Sequence, residues 1–225
     1  MAESLPSGAP GSAAPRPLSA RAERTRQSIL EAAEALFAER GFAATRLEDV
    51  AERVGIRRAS IFYYYRDKGE LYEAVLGSVF GSLLSRIEPI LREARPLGER
   101  AEAAVSTWID FLVERPTTAR LLIREVADAR PGRPPRLGPY TEPFVETIRD
   151  VLGKVAPGDA LAAGAAIEPL HLASMIAGST IFFVAAMPVL LPGFSPLDRD
   201  HVETHRREVL GVTRRLLGLP EEGRT

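Results

Sequence analysis

The 225-residue sequence predicts an all-α protein, with an N-terminal three-helix helix-turn-helix domain followed by a larger helical domain. Three observations predict it. Apolar residues recur at helical spacing along most of the chain, clusters of proline and glycine punctuate those segments, and no stretch alternates apolar and polar residues as a half-buried strand would. There is no convincing internal repeat.

Composition narrows the function. The chain is long enough for a substantial hydrophobic core. It has no cysteine, which excludes thiolate metal sites, cysteine nucleophiles and a disulfide scaffold together. Lys plus Arg is 29 and Asp plus Glu is 30, a net charge of −1 that by itself argues against a nucleic-acid binder. The distribution differs from the average: residues 1–68 hold 11 basic and 9 acidic residues, whereas residues 69–225 hold 18 and 21. This mild asymmetry assigns an anion-facing role to the N-terminal part.

In chain order, residues 1–20 are rich in Pro, Gly, Ser and Ala and read as a disordered tail. They lack the basic start and unbroken apolar run of a signal peptide, so a cytoplasmic location is expected. A helix follows from Arg24, with Ile29, Ala33, Leu36 and Phe37 on one stripe and Gly41 as its stop. Thr45 and Glu48 have the spacing of a capping box for a second helix carrying Val50, Ala51 and Val54, which Gly55 ends. A third short helix is expected over about 57–65. Asp67 then marks a break before a long helix with Leu71, Val75 and Val79. Residues 21–68 form the first domain on this reading, and 69–225 the second.

The informative stretch is residues 45–68, TRLEDVAERVGIRRASIFYYYRDK. A helix-turn-helix needs a small residue where its helices cross, a turn residue tolerant of positive φ, and an apolar anchor on the second helix. Ala51, Gly55 and Ile61 meet these needs. With Ile61 inwards, Ala59 and Tyr63 point outwards with Ser60 and Phe62 on their flanks, the face expected in a major groove. Arg57 and Arg58 can reach guanine edges or phosphates there. Ser60, Tyr63 and Tyr64 offer hydroxyls to phosphates, although Tyr64 serves equally well as packing, and Ala59 and Phe62 offer apolar contact to thymine methyls. Lys68, one of two lysines beside 27 arginines, suits a point-charge contact to the DNA backbone, and Arg46, Arg24 and Arg26 could flank the groove.

Residues 25–75, TRQSILEAAEALFAERGFAATRLEDVAERVGIRRASIFYYYRDKGELYEAV, resemble the N-terminal domain of the TetR family of bacterial transcriptional regulators. The agreement runs through three successive helices and covers a little under a quarter of the chain. It implies a homodimer binding a double-stranded DNA operator with one recognition helix per half-site, and a helical C-terminal domain that dimerises and often binds a small effector. The chain departs from the family pattern at Arg57, where serine is usual, and at Ala59, Ser60, Phe62, Tyr64, Tyr65 and Arg66. Arginine in place of serine removes the usual N-cap oxygen, a change of about 1 kcal/mol.

Beyond residue 69, helical segments are expected at about 97–114, 117–129, 139–154, 168–187 and 198–218. Residues 170–191 carry no fixed charge, but His171, Ser174, Ser179, Thr180 and the Pro188 break argue for a doubly buried helix rather than a membrane span. On it, His171, Met175, Gly178 and Phe182 share one face, and Leu172, Ile176, Ser179 and Phe183 a neighbouring one. One face would serve the subunit interior and the other a partner subunit. In the last helix Val202, Val209, Val212 and Leu216 form a stripe, so a four-helix dimer interface is expected. Trp108, Phe111, Leu112, Tyr140, Phe144, His171, Met175 and Phe182 are the candidate ligand-binding residues, suited to a small hydrophobic effector. His201 and His205 have a two-ligand zinc spacing with Glu203 and Glu208 nearby, but no third ligand is evident. No metal, cofactor or catalytic constellation is expected. The resulting expectation is a homodimeric repressor released by an effector, and the alternatives are a small-molecule binding helical protein and an activator.

Overall fold

The computed structural model describes residues 19–129, 136–153 and 169–219. Among them are ten helices and no strand. Of the expected tail only Ser19 and Ala20 fall among the described residues, and the RPGRPP stretch and the Pro157–Gly158 pair lie outside them.

Helix α1 (Ala20–Ala44) begins four residues before the expected Arg24, because the Ser19 hydroxyl accepts from the Ala22 N–H at 3.2 Å and caps its N-terminus. Its expected stripe of Ile29, Ala33, Leu36 and Phe37 is fully buried. Gly41 breaks the helical path at φ 78°, a conformation open to glycine at little cost. Helix α2 (Leu47–Val54) ends at Gly55, in the left-handed region at φ 75° and ψ 32°. The expected Thr45–Glu48 capping box is shifted by one residue. Thr45 is buried and its hydroxyl donates backwards to the Gly41 carbonyl at 2.8 Å, leaving Asp49 to accept from the Arg46 N–H at 3.2 Å.

Helix α3 (Arg58–Ile61) is a single turn, shorter than expected, and the chain continues through turns to Tyr65. Arg57 stands at its N-cap position without a side-chain cap, as the missing serine implies. Asp67 opens helix α4 (Lys68–Arg92) by accepting from the Glu70 N–H at 2.9 Å. At 25 residues, α4 is roughly 37 Å long. Its first three turns bury Leu71, Tyr72 and Val75 beneath the helix-turn-helix, and its later turns bury Val79, Leu83, Ile87 and Leu91.

Of the remaining helices, α5 (Leu97–Glu114) and α7 (Gly138–Gly153) pack on α4, α6 (Pro116–Asp128) packs on α1 and α8 (Pro169–Ala185), α9 (Met187–Leu190) follows α8, and α10 (Arg199–Leu216) packs on α5 and α8. Pro116 opens α6, where its missing N–H costs nothing. Asp198 opens α10 by accepting from the N–H groups of Asp200 and His201. One hydrophobic core runs without interruption from Ile29 of α1 to Val209 of α10.

Two polar links tie α1, and one ties α4, to the second half of the chain. Buried Glu34 accepts from Arg115 at 2.5 Å and from the Thr117 and Thr118 hydroxyls at 2.8 and 3.3 Å. Arg124 of α6 donates to the Ala38 and Glu39 carbonyls at 2.7 and 2.5 Å, satisfying acceptors exposed by the break at Gly41. Tyr72 of α4 donates to Glu125 of α6. Burial and then Glu125 raise the Tyr72 pKa, which keeps the phenol protonated as the donor.

Candidate DNA-binding face and apolar cavity

The helix-turn-helix is built as its spacing requires. Ala51 is buried where the helices cross, Gly55 makes the left-handed turn, and Ile61 is fully buried. Opposite Ile61, Ala59 is exposed, Ser60 half-buried, and the Phe62 and Tyr63 rings are 46% and 72% exposed. Two large rings left in solvent just after a single-turn helix are costly unless that face meets a partner. Arg46, Arg57 and Arg58 surround them and are exposed. The Arg58 guanidinium lies 5.5 Å from the Phe62 ring centroid and 3.0 Å from Glu48, so it is already held at the edge of the face. Arg26, expected to flank the groove, pairs instead with Glu23 at 2.9 Å.

Two residues depart from the expected DNA face. Tyr64 is half-buried against the core, its ring edge-on to Tyr63 at 5.0 Å, so packing accounts for it. Lys68 points inwards. Its ammonium donates to the carbonyls of Phe42, Ala43 and Thr45 at 2.8, 3.2 and 2.9 Å, and it sits 4.5 Å from the Phe42 ring centroid. All three of its N–H groups are thereby committed. Burial, and then the Arg136 charge, lower its pKa. The lysine holds the end of α1 against the start of α4, and in this conformation has no donor left for a phosphate.

Between α4, α5, α6, α7, α8 and α10 lies a cavity of about 330 Å³, lined among others by Phe80, Trp108, Leu122, Phe144, Ile176 and Thr213. Among the described residues no charged side chain lines it. Of the expected ligand-binding residues, Trp108 and Phe144 are in the lining. Phe111 and Leu112 are fully buried elsewhere in the core, with the Arg86 and Arg115 guanidiniums 5.3 and 5.6 Å from the Phe111 ring centroid. Tyr140 stands outside the lining, stacked on Phe80 at 6.1 Å and donating to the Glu73 carbonyl at 2.9 Å.

His171, Met175 and Phe182 are the clear corrections. They lie on the exposed face of α8, with Met175 and Phe182 about half exposed, while Leu172, Ile176 and Ile181 turn to the cavity. The two faces of α8 exist as expected, but the cavity-facing one is the other. Thr141 and Thr213 also line it, two residues that a pattern of large aromatic side chains does not point to.

Two histidines of α10 join a ring cluster instead of a metal site. His205 stacks on Phe183 at 4.1 Å and His201 on Phe194 at 4.5 Å, and Phe183 meets Phe194 edge-on at 5.3 Å. Among the described residues no group of three metal-ligating side chains occurs.

Comparison with known proteins matches residues 29–75 to the family described as bacterial regulatory proteins, tetR family. The chain is 26% identical to the HTH-type transcriptional activator FasR of Mycolicibacterium smegmatis over 181 residues, 80% of this chain and 78% of FasR. It is 39% identical over 98 residues to the HTH-type transcriptional regulator TtgR of Pseudomonas putida, 43% of this chain and 47% of TtgR. Its fold is similar to that of FadR from Bacillus subtilis, solved in complex with stearoyl-CoA, with TM-score 0.66, 14% identity, and coverage of 86% of this chain and 99% of that one. It is similar also to the ketosteroid regulator KstR2 of Mycobacterium tuberculosis, with TM-score 0.64, 21% identity, and coverage of 88% and 95%. The matched segment, residues 29–75, coincides with the helices that present Phe62 and Tyr63 to solvent, and this part of the chain is that of the bacterial regulatory proteins of the tetR family.

Proposed function

We propose that the chain is a cytoplasmic homodimeric repressor, without enzymatic activity, that binds a palindromic operator and is released by a small, largely hydrophobic effector. The observation that carries this reading is the double role of α6. One side of it supplies Leu122 and Val126 to the cavity, and another supplies Thr118 and Arg124 to α1 of the helix-turn-helix. An effector that moves α6 therefore acts on the DNA-binding half through direct contacts. In a dimer the two recognition helices must meet major grooves about 34 Å apart or a multiple of it, so a small rotation of each suffices to lose the match. A tenfold loss of affinity needs about 1.4 kcal/mol of coupling.

On this reading Arg57, Arg58, Ala59, Ser60, Phe62 and Tyr63 meet DNA, with Arg46 beside them. The exposed face of α8, with Met175, Gly178 and Phe182, meets the same face of a second copy. An added Cβ at Gly178 would touch nothing within 4 Å in the single chain, so the space above it is open to a close helix approach. Activation is a second reading, favoured by the likeness to a relative named an activator.

Binding to fragments from upstream of the gene, titrated with salt, tests the proposal. Affinity should fall steeply with salt, and hydrophobic ligands should release the DNA. DNA binding that ignores salt counts against the assigned face. A promoter reporter with and without the protein separates repression from activation.

A further inference from the structure

Glu48 has the spacing of a capping residue, but the cap belongs to Asp49, whose carboxylate accepts from the Arg46 N–H at 3.2 Å. The Glu48 carboxylate reaches α3 instead, where its Oε1 lies 3.0 Å from Nη1 of Arg58. Both side chains are about half exposed, so the pair adds little to stability. A carboxylate beside a surface that meets phosphates also works against DNA affinity. Its place in the first turn of α2 brings a modest dipole contribution, which any acid in that turn would make. None of these accounts for its contact with Arg58.

That contact holds Arg58 from a second side. Glu48 takes one N–H of the guanidinium, whose central carbon is 5.5 Å from the Phe62 ring centroid. Four N–H groups remain, and a guanine uses two, one to O6 and one to N7. Among the described residues, the neighbouring Arg57 side chain is exposed and makes no ion pair or hydrogen bond. A side chain already held loses less freedom on binding than a free one, and a planar fork reads a base only in a fixed orientation. Where DNA covers the face, water is excluded and the attraction between Glu48 and Arg58 strengthens.

We infer that Glu48 is a positioning residue for base recognition: it fixes Arg58 so that the guanidinium reads a guanine in each half-site. This rests on the DNA face proposed above. It adds a residue that touches no base and sets specificity through another side chain.

Duplexes selected from a random pool by the full chain define the operator, and its single-base variants, measured at one salt concentration, define the preference at each position. One half-site position should prefer guanine by about 5- to 150-fold. Glu48→Ala should lower that preference about fivefold, leave the other positions unchanged, and bind unrelated DNA more tightly because a negative charge is gone. Arg58→Ala should remove the preference at the same position, and the double variant should lose no more than Arg58→Ala alone. Glu48→Gln keeps an acceptor without the charge and should retain part of the preference. Both residues are exposed, so melting temperatures close to that of the unmodified protein are expected and confirm folding. If Glu48→Ala binds every sequence more tightly by one factor, with base preferences intact, the residue is only a repulsive charge and the inference is overturned. Loss at a position other than that of Arg58 makes Glu48 a base reader in its own right, which overturns it as well. So does an operator without a preferred guanine. If the chain selects no sequence at all, the proposed DNA face itself fails, an outcome distinct from the other three.

Discussion

Glu34 of α1 and Arg115, at the junction of α5 and α6, are 81 positions apart in sequence and form an ion pair of 2.5 Å in which the glutamate is 6% exposed. Two threonine hydroxyls complete the carboxylate's shell. A buried charge held in this way is costly to leave half-paired. Glu34→Ala should lower stability by about 3 kcal/mol and Glu34→Gln by less, because the amide oxygen still accepts from the hydroxyls. Urea unfolding provides the measurement, and an unchanged midpoint in Glu34→Ala would show that the pair contributes nothing.

Lys68 and Arg57 should separate structure from recognition. Lys68→Ala removes three hydrogen bonds to the end of α1 and should lower stability by about 1–3 kcal/mol, with little change in the salt dependence of DNA binding. Arg57→Ala should leave stability almost unchanged and weaken operator binding about tenfold, with the salt slope falling by about 0.9 if its contact is to a phosphate. A Lys68→Ala protein of normal stability with a reduced salt slope would return the lysine to the DNA face.

His205 should make stability depend on pH. Burial, and after it the Arg206 charge, hold its pKa below the ordinary 6.5 while its ring stacks on Phe183 and its Nε2 lies 3.2 Å from the Thr180 hydroxyl. The folded chain therefore favours the neutral ring more than the unfolded chain does. This contribution is present above pH 6.5 and is lost as pH falls below that value through the lowered folded-state pKa. His205→Phe keeps a ring on Phe183 and removes the proton. The melting temperature of the unmodified protein should drop more between pH 7 and pH 5 than that of the variant, and parallel curves would dismiss the histidine as the cause.

These contrasts show where sequence reasoning reaches and where it stops. Ala51, Gly55 and Ile61 are close in sequence and constrained by local geometry, so their spacing specified the helix-turn-helix and the outward direction of Tyr63. The destination of Lys68 was not local. It depends on where the break at Gly41 leaves the carbonyls at the end of α1, some 25 residues earlier, and the neighbouring Gly41 carbonyl drew the Thr45 hydroxyl away from its expected cap. Helix α8 shows a third limit: apolar all round, it has two separable faces but no polar side to say which one faces inwards. The sequence therefore paired His171, Met175 and Phe182 correctly with one another and assigned them to the wrong side.

Arg124 should decide whether the cavity speaks to DNA through α6. Its guanidinium grips the Ala38 and Glu39 carbonyls of α1, while Leu122 and Val126 of the same helix line the cavity. Arg124→Ala should therefore leave ligand affinity within about twofold, because no cavity wall is removed, but reduce the ligand-driven loss of operator affinity by roughly fivefold, a coupling change of about 1 kcal/mol. Linkage requires the reciprocal effect, so operator DNA should weaken ligand binding less in the variant than in the unmodified protein, and by the same factor. Titrating ligand with and without operator, for both proteins, closes the cycle. Equal coupling in the two proteins would remove Arg124 from the path and leave Glu34 and the Tyr72–Glu125 contact of α4 as the routes to test.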